Sequence, residues 1–231
     1  MEPFINIYDK DKHKFRVVND HLYELSLISK DRKRFYKKNK QYCTEDIVYK
    51  HNSYGYRTID TIPENYILAL GCSHTYGSAL HEKERYSNIV EKELGTPVVN
   101  LGVPGTSINF ILLNLLKLVY SSTHKPKVLI CQNPNLDRLT LPRTDGLLTT
   151  VPLNKRYRSL YMDDSLAVHS RLCHQLIKDT AKSHNIKIID FCVWGVSVGN
   201  KTIIPDDYAR DIDHPGPKSN RLIADYILEN L

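Results

Sequence analysis

The sequence predicts an α/β fold built on a parallel sheet, and three observations support this prediction. From about residue 66 onward, short apolar runs alternate with longer amphipathic segments, which is the pattern of βαβ units. Glycines follow the first apolar run (Gly71) and the first amphipathic segment (Gly95), where such chains turn. The 231 residues are enough for one self-supporting core with an added segment.

The predicted elements follow in chain order. Apolar runs predict buried strands at 66–70, 97–101, 127–131 and 186–190, and helical spacing predicts helices at 86–94, 108–120, 166–184 and 219–230. Gly95 is expected to be the C-terminal cap of the first of these helices. Two irregular stretches, 134–164 and 192–213, remain, and the first is long enough to form a lid or a substrate wall.

The turn after the first predicted strand, 71–75 (Gly-Cys-Ser-His-Thr), carries the first candidate chemical group. Ligands bind beyond the carboxyl ends of the strands in open parallel sheets, so Ser73 would face a substrate from a rigid position. Gly71 permits the sharp turn that this placement needs. The alternative interpretation is that Ser73 only caps a helix.

Two later strand ends carry groups that can stabilise an oxyanion. The segment 100–107 places Gly102 and Gly105 around a proline, which predicts a tight turn whose backbone N–H groups point into the cleft. Asn133 follows the third strand, where its side-chain amide can supply another donor. A purely structural turn would have a similar sequence, so this interpretation stays open.

The segment 209–218 (Ala-Arg-Asp-Ile-Asp-His-Pro-Gly-Pro-Lys) is the most informative one. Asp211 and His214 are three residues apart in a loop that two prolines stiffen, so one turn can bring the carboxylate to the imidazole Nδ1. The carboxylate would then fix the tautomer and leave Nε2 to accept the proton of a serine. Asp213 is the alternative orienting acid, although the three-residue separation favours Asp211.

The order Ser, Gly, Asn and then Asp-x-x-His resembles the SGNH (GDSL-type) hydrolase family, over about residues 66–231. That family has a flavodoxin-like three-layer α/β/α sandwich with a mostly parallel central sheet, and it includes esterases, lipases, thioesterases and carbohydrate deacetylases. The resemblance implies a catalytic domain at 61–231. Residues 1–60 are charged and weakly periodic, and we expect them to be an extension packed on that domain.

The resemblance also implies the roles of the site residues. Ser73 matches the nucleophile, and Asp211 and His214 match the acid and base. Ser73, Gly105 and Asn133 would form the oxyanion hole. An acyl-enzyme would form on the serine, and neither a metal nor an organic cofactor would be needed.

Two departures from the family pattern lie beside these residues. Cys72 stands where the family often has aspartate before the serine, and Pro134 stands where aspartate often follows the asparagine. Neither replaced residue is a member of the triad, so we expect the chemistry to survive. The shape of the oxyanion pocket is left open.

These residues and the arginines near them allow other interpretations. Cys72 is an alternative nucleophile because a thiolate is intrinsically more nucleophilic than a hydroxyl. Cys72, His74 and His81 could also be metal ligands together with His214, but the turn that carries the first two has no supporting pattern, so no metal site is expected. Three arginines near the first irregular stretch could bind an anionic substrate group or could be solvated: Arg138, Arg143 and Arg156.

Composition narrows the class of protein. The five cysteines are scattered and form no Cys-x-x-Cys pair, which is typical of reduced thiols. No signal peptide or apolar membrane span is visible, so we expect a cytoplasmic protein. The net charge of +6 comes largely from a basic cluster at 30–40. Most clusters of this kind are solvated helix faces, and we expect no nucleic-acid partner.

The expected partner is a small-molecule or glycan ester. The polarity of 134–164 and 192–210 favours a small acyl group, such as acetyl, on a hydrophilic carrier. Two alternatives remain: a non-catalytic binding or assembly protein that uses the basic N-terminal segment, and an acyltransferase in which a sugar or alcohol replaces water. The sequence does not determine the oligomeric state.

Overall fold

A computed structural model describes residues 30–136, 138–142, 148–152, 163–194 and 201–231. Within these ranges the strands are β1 (Ile67–Leu70), β2 (Val98–Asn100), β3 (Val128–Asn133), β4 (Arg138–Pro142), β5 (Leu148–Pro152), β6 (Lys187–Val193) and β7 (Thr202–Ile203). The helices are α1 (Lys30–Lys38), α2 (Lys40–Cys43), α3 (Ser73–Tyr76), α4 (Tyr86–Leu94), α5 (Ile108–Ser121), α6 (Asp163–Ser183) and α7 (Pro217–Glu229), with a short 3₁₀ turn at Glu82–Glu84.

Five strands form a parallel sheet in the order β2-β1-β3-β6-β7. The order reverses at β1, which lies between β2 and β3 and is buried over its whole length. In sheets of this kind the ligand site lies at the carboxyl ends of the strands beside the reversal. The topology therefore predicts a ligand site at the turn after β1.

Helices cover both faces of the sheet. Leu68 and Leu70 of β1 belong to an apolar cluster with α5 and α6, whereas Ile67 and Ala69 belong to a second cluster with α4 and α7. Alternate side chains of a strand point to opposite faces, so a strand between two helical layers must be apolar at every position. The predicted three-layer α/β/α sandwich is confirmed.

The predicted helix at 86–94 matches α4, which ends at Gly95 with φ 62°. Glycine adopts this left-handed conformation without the steric penalty of a side chain, which explains the cap. The other predicted strands and helices differ from the observed elements by a few residues at their ends.

Three strands were missed in the stretches expected to be irregular. Part of 134–164 forms the antiparallel hairpin of β4 and β5, and β7 lies within 192–213. In β4 the polar Thr140 is buried at 4% exposure and lies between two leucines, so the usual apolar-in and polar-out alternation is reversed. A strand of two residues such as β7 is too short to give a periodic signal.

The N-terminal helices pack on the loop that precedes α7. The ring of Phe35 meets the ring of Tyr208 edge-on at 5.4 Å, and the Arg210 guanidinium lies 4.4 Å from the ring centroid of Tyr42. The described part of the predicted extension therefore contacts the segment that carries Asp211. No helix in the described ranges is long and apolar enough to cross a membrane.

Candidate active site

Ser73 lies beyond the carboxyl end of β1, beside the reversal of the strand order. It is the first residue of α3, directly after the turn that follows β1. The turn is tight: a Cβ atom on Gly71 would lie 2.0 Å from Thr75 Oγ1 and 2.8 Å from Gln132 Oε1. Only glycine fits at this position. Ser73 is 6% exposed, so the surrounding protein holds its backbone firmly.

Gln132 fixes the residue before the serine. Its side-chain oxygen accepts the backbone N–H of Cys72 at 3.0 Å and the thiol of the same residue at 3.1 Å, while its amide nitrogen donates to the Asn133 carbonyl at 2.7 Å. These bonds tie the end of β3 to the turn that carries Ser73. Sequence reasoning assigned no role to Gln132, because only the pairing of β1 with β3 brings the two segments together.

Asp211 and His214 contact each other as their spacing predicts. Asp211 Oδ2 accepts a hydrogen bond from His214 Nδ1 at 2.6 Å, and Asp211 Oδ1 accepts the backbone N–H groups of Asp213 and His214 at 3.1 Å each. Ile212, between the two acids, has φ 54°. A β-branched residue in this region is strained, by about 1–2 kcal/mol, and the loop holds it there.

The second acid has a different partner. Asp213 forms an ion pair with Arg32 of α1 at 2.5 Å, whereas the Nδ1 atom of the imidazole is hydrogen-bonded to Asp211. Of the two candidate acids, Asp211 is therefore the one that orients the ring.

The environment tunes both members of the Asp211–His214 pair. Burial acts to lower the pKa of His214, but the hydrogen bond and charge of Asp211 outweigh it and hold that pKa above its usual value. Burial acts to raise the pKa of Asp211, yet the His214 bond and charge, with the two backbone donors, leave it below its usual value. The pair is therefore arranged to keep Asp211 ionised.

Ser73 and His214 line the same cavity, of about 580 Å³, at the carboxyl end of the sheet. Within the described ranges the Ser73 hydroxyl has one hydrogen-bond contact, to Cys72 Sγ at 3.9 Å, and none to the His214 ring. The structure thus brings the serine and the histidine to one cavity without joining them. Hydrogen bonds between a nucleophile and its base are often long or unformed in the absence of substrate.

Two aromatic side chains form a wall of this cavity. The His74 ring meets the rings of Trp194 and His214 edge-on, each at a centroid distance of 5.7 Å. Burial lowers the pKa of His74 to about 3, so this imidazole is neutral at physiological pH. Trp194, at the end of β6, has φ 50°. Sequence reasoning considered His74 only as a metal ligand and did not consider Trp194.

The two other residues predicted for the oxyanion hole lie outside the lining of this cavity. Asn133 is buried, and its amide donates to the Phe191 carbonyl at 3.4 Å. Gly105 is exposed in the turn before α5 with φ 74°. The structure therefore does not bring Gly105 and Asn133 together with Ser73 around one described cavity.

The remaining candidates lie apart from this site or outside the described residues. His81 Nε2 donates a hydrogen bond to the Glu45 carboxylate at 2.8 Å. Among the described residues, no three His, Cys, Asp or Glu side chains are grouped to hold a metal ion. All five cysteines lie in the described ranges, are buried and form no disulfide bond. Arg143 and Arg156 lie outside the described residues.

No protein-family model and no curated protein sequence matches the chain. Solved structures do match it. A carbohydrate esterase, whose active site is described as having divergent catalytic and non-catalytic binding functions, aligns with 73% of this chain and 65% of its own, at 14% identity and a TM-score of 0.55.

Two further esterases align less closely. AlinE4, an esterase of the SGNH-hydrolase family, aligns over 60% of this chain and 62% of its own at 18% identity, with a TM-score of 0.39. The psychrotrophic esterase EstA from a Pseudoalteromonas species aligns over 73% of this chain and 96% of its own at 10% identity, with a TM-score of 0.43.

The aligned parts span less than two thirds of AlinE4 and of the carbohydrate esterase. At sequence identities this low, structural likeness establishes the fold alone, because one fold can carry many functions. The function follows from the chemistry of the site. The sheet order, the helices on both faces and the likeness to the carbohydrate esterase agree with one another. The chain therefore has the α/β fold of the carbohydrate esterase that it resembles.

Proposed function

We propose that the chain is a serine hydrolase that cleaves an ester through an acyl-enzyme, with Ser73 as nucleophile, His214 as base and Asp211 as the orienting acid. The observation that carries this proposal is the 2.6 Å bond between Asp211 and His214 on the cavity that Ser73 also lines. A partly buried Asp–His pair beside a serine at a rigid strand end is the arrangement that nucleophilic catalysis needs.

The reaction would run in two halves. Because His214 Nδ1 donates to Asp211, Nε2 is left to take the Ser73 proton as the hydroxyl attacks the ester carbon. His214 then protonates the leaving alcohol, and an acyl-serine remains. Water loses a proton to the same nitrogen, attacks the acyl carbon and releases the acid, and the proton returns to Ser73.

Formation of the attacking pair requires the Ser73 hydroxyl to leave Cys72. That contact, with 3.9 Å between Oγ and Sγ, is long and weak. Rotation of the Ser73 side chain toward His214 therefore loses little hydrogen-bond energy. Substrate binding and the developing charge would favour the rotated hydroxyl, because it is then hydrogen-bonded to the base.

The oxyanion would be held by the backbone N–H of Ser73. Gly105 and Asn133 lie outside the cavity lining, so the backbone N–H of Gly105 and the amide of Asn133 would join it only after both groups move toward Ser73 when substrate binds. Ser73 begins α3, and the first N–H groups of a helix have no partner within it. Asn133 would exchange its 3.4 Å bond to Phe191, which lies at the outer limit of hydrogen bonding, for a bond to the oxyanion. Replacing Asn133 by alanine should then lower kcat about 10²- to 10³-fold.

The proposed substrate is a small acyl group, such as acetyl, on a hydrophilic carrier such as a carbohydrate. The cavity is lined by charged and polar groups as well as by Leu136, Val193 and Trp194, so it offers hydrogen-bond partners to a polar carrier and apolar contacts to a short acyl group. The matching carbohydrate esterase is in keeping with this class. A clear preference for long-chain over acetyl esters would overturn this part of the proposal.

A reducing compartment such as the cytoplasm is also part of the proposal. None of the five cysteines, all of which the structure describes, forms a disulfide bond, and three of them lie in the strands or turns of the sheet core. Several cysteines without a disulfide bond are typical of proteins from reducing compartments.

A non-catalytic binding protein on the same fold is the second candidate, and the unformed bond between Ser73 and His214 is the observation in its favour. Hydrolysis of 4-nitrophenyl acetate separates the two. We expect turnover that falls at least about 10³-fold in Ser73→Ala and in His214→Ala. Ser183→Ala, an exposed serine at the end of α6, is the matched control and should keep wild-type rates. Equal rates in all four proteins would favour the binding function.

A further inference from the structure

The cavity contains one cation whose charge the described residues do not balance. Arg138, the first residue of β4, lines the cavity together with Ser73 and His214. Within the described ranges it has no hydrogen-bond or ion-pair partner. The other cavity arginine, Arg32, is paired with Asp213 at 2.5 Å. Only one of the two guanidinium groups is therefore already neutralised by the described part of the chain.

The remaining charges of the cavity do not compensate Arg138. Asp211 is engaged by His214 at 2.6 Å, and the His74 ring is neutral. The positive charge of Arg138 acts to lower the pKa of both His74 and His214. Arg138 is partly exposed and lines the cavity, so its guanidinium can bind an anion there without giving up a partner within the described residues.

The position of Arg138 is built into the fold. Two residues further along β4, Thr140 is fastened to the start of α5 by a 2.6 Å bond between its hydroxyl and that of Ser107. Asn109 adds two bonds to the Thr140 backbone, accepting its N–H at 3.1 Å and donating to its carbonyl at 2.7 Å. The strand that presents Arg138 is thus held to the core at the next position on the same face.

We infer that the substrate carries an oxyanion group, a carboxylate, phosphate or sulfate, which Arg138 binds beside the scissile ester. The inference rests on the proposed function and narrows its substrate class. A guanidinium presents a fork of N–H donors that matches such groups in a bidentate manner. The proposal is compatible with a hydrophilic carrier, and it adds that the carrier or the acyl group is acidic.

Two pairs of esters test this inference, each an anion with a neutral partner of similar shape. One pair, 4-acetoxybenzoate and 4-acetoxybenzamide, places the charge on the leaving group. The other, mono-4-nitrophenyl glutarate and 4-nitrophenyl pentanoate, places it on the acyl group. The measured quantity is the ratio of kcat/KM for the anion to that for its partner. Both esters use the same base, so the ratio cancels any change in the pKa of His214.

In one of the two pairs we expect the wild-type ratio to be about ten. This factor corresponds to the lower end of the free energy of a hydrogen bond to a charged group. Arg138→Gln should bring that ratio down to about one, and Arg138→Lys should keep part of it. Arg171→Gln, the same change at an exposed position on α6, should leave it unaltered. A ratio near one in both pairs, or one that survives in Arg138→Gln, would overturn the inference.

A binding measurement separates failure of this inference from failure of the proposed function. The chain has one tryptophan, Trp194, and it lines the cavity, so its fluorescence reports what enters. In the Ser73→Ala background, 4-acetoxybenzoate should change the fluorescence at lower concentration than 4-acetoxybenzamide does, and adding Arg138→Gln should remove the difference. This preference without any hydrolysis by the wild type would refute the hydrolase and keep the anion site. Hydrolysis by the wild type without this preference would keep the hydrolase and refute the anion site.

Discussion

Replacing Asp211 by asparagine tests the role of the acid with little change of shape. In the wild type, Oδ1 accepts two backbone N–H groups and Oδ2 accepts His214 Nδ1. The asparagine oxygen can keep the two backbone bonds, and its NH₂ group then faces Nδ1. That nitrogen must become an acceptor, so the ring proton moves to Nε2. The histidine in this tautomer cannot take a proton from Ser73.

The hydrogen-bond geometry also sets the direction of the amide. Turning the asparagine by 180° would restore an acceptor at Nδ1 but would point NH₂ at two N–H donors, losing two hydrogen bonds to keep one. The inactive orientation is therefore preferred. By analogy with serine hydrolases that have lost the orienting acid, kcat should fall by about 10⁴-fold.

The assay is hydrolysis of 4-nitrophenyl acetate at saturating substrate, with circular dichroism to check the fold. Asp213→Asn is the matched control: it is the neighbouring acid, it is paired with Arg32, and its loss should change kcat by no more than about tenfold. An Asp211→Asn enzyme within about tenfold of the wild type, still dependent on His214, would refute the reasoning.

Three further predictions follow from the same structure. His214 has a raised pKa and acts as a base only when neutral, so kcat/KM should rise with pH through an ionisation above about 6.5, and a midpoint below that value would contradict the role of Asp211. In Gly102→Ala the new Cβ would lie 2.3 Å from a backbone nitrogen of α3, so urea denaturation should show a loss of about 1–3 kcal/mol. Gly95→Ala, where nothing lies within 4 Å, should lose only about 1 kcal/mol from its left-handed φ, and equal losses would argue against the clash. Asp207→Ala removes the carboxylate that accepts the first N–H groups of α7, so thermal unfolding should report a loss of about 1–2 kcal/mol, and an unchanged midpoint would show that this cap is dispensable.

The fold could be predicted because its main signals are local. Strands between two helical layers are apolar throughout, as in 66–70, and glycine marks the end of α4. The contact between Asp211 and His214 was predictable for the same reason, since three residues of a proline-stiffened loop bring them together. The choice of Asp211 over Asp213 depends on Arg32, which lies about 180 residues earlier in the chain.

The rest of the site depends on contacts between distant segments. Gln132 reaches Cys72 only because β3 pairs with β1, and Arg138 reaches the cavity only because Thr140 is fastened to α5. His74 is neutral because it is buried beside Trp194, which no spacing in the sequence indicates. The placement of Asn133 likewise depends on β6, whose Phe191 carbonyl takes its amide.

The most direct test of the account is to locate the covalent adduct of a fluorophosphonate probe by peptide mass spectrometry. Such a probe reacts with a serine only when a neighbouring base activates it. The account predicts one adduct, on the peptide 71–75 and on the Ser73 oxygen, present in Cys72→Ser and lost in Ser73→Ala and His214→Ala. An adduct on Cys72, or a folded wild-type protein that takes up no probe, would contradict it.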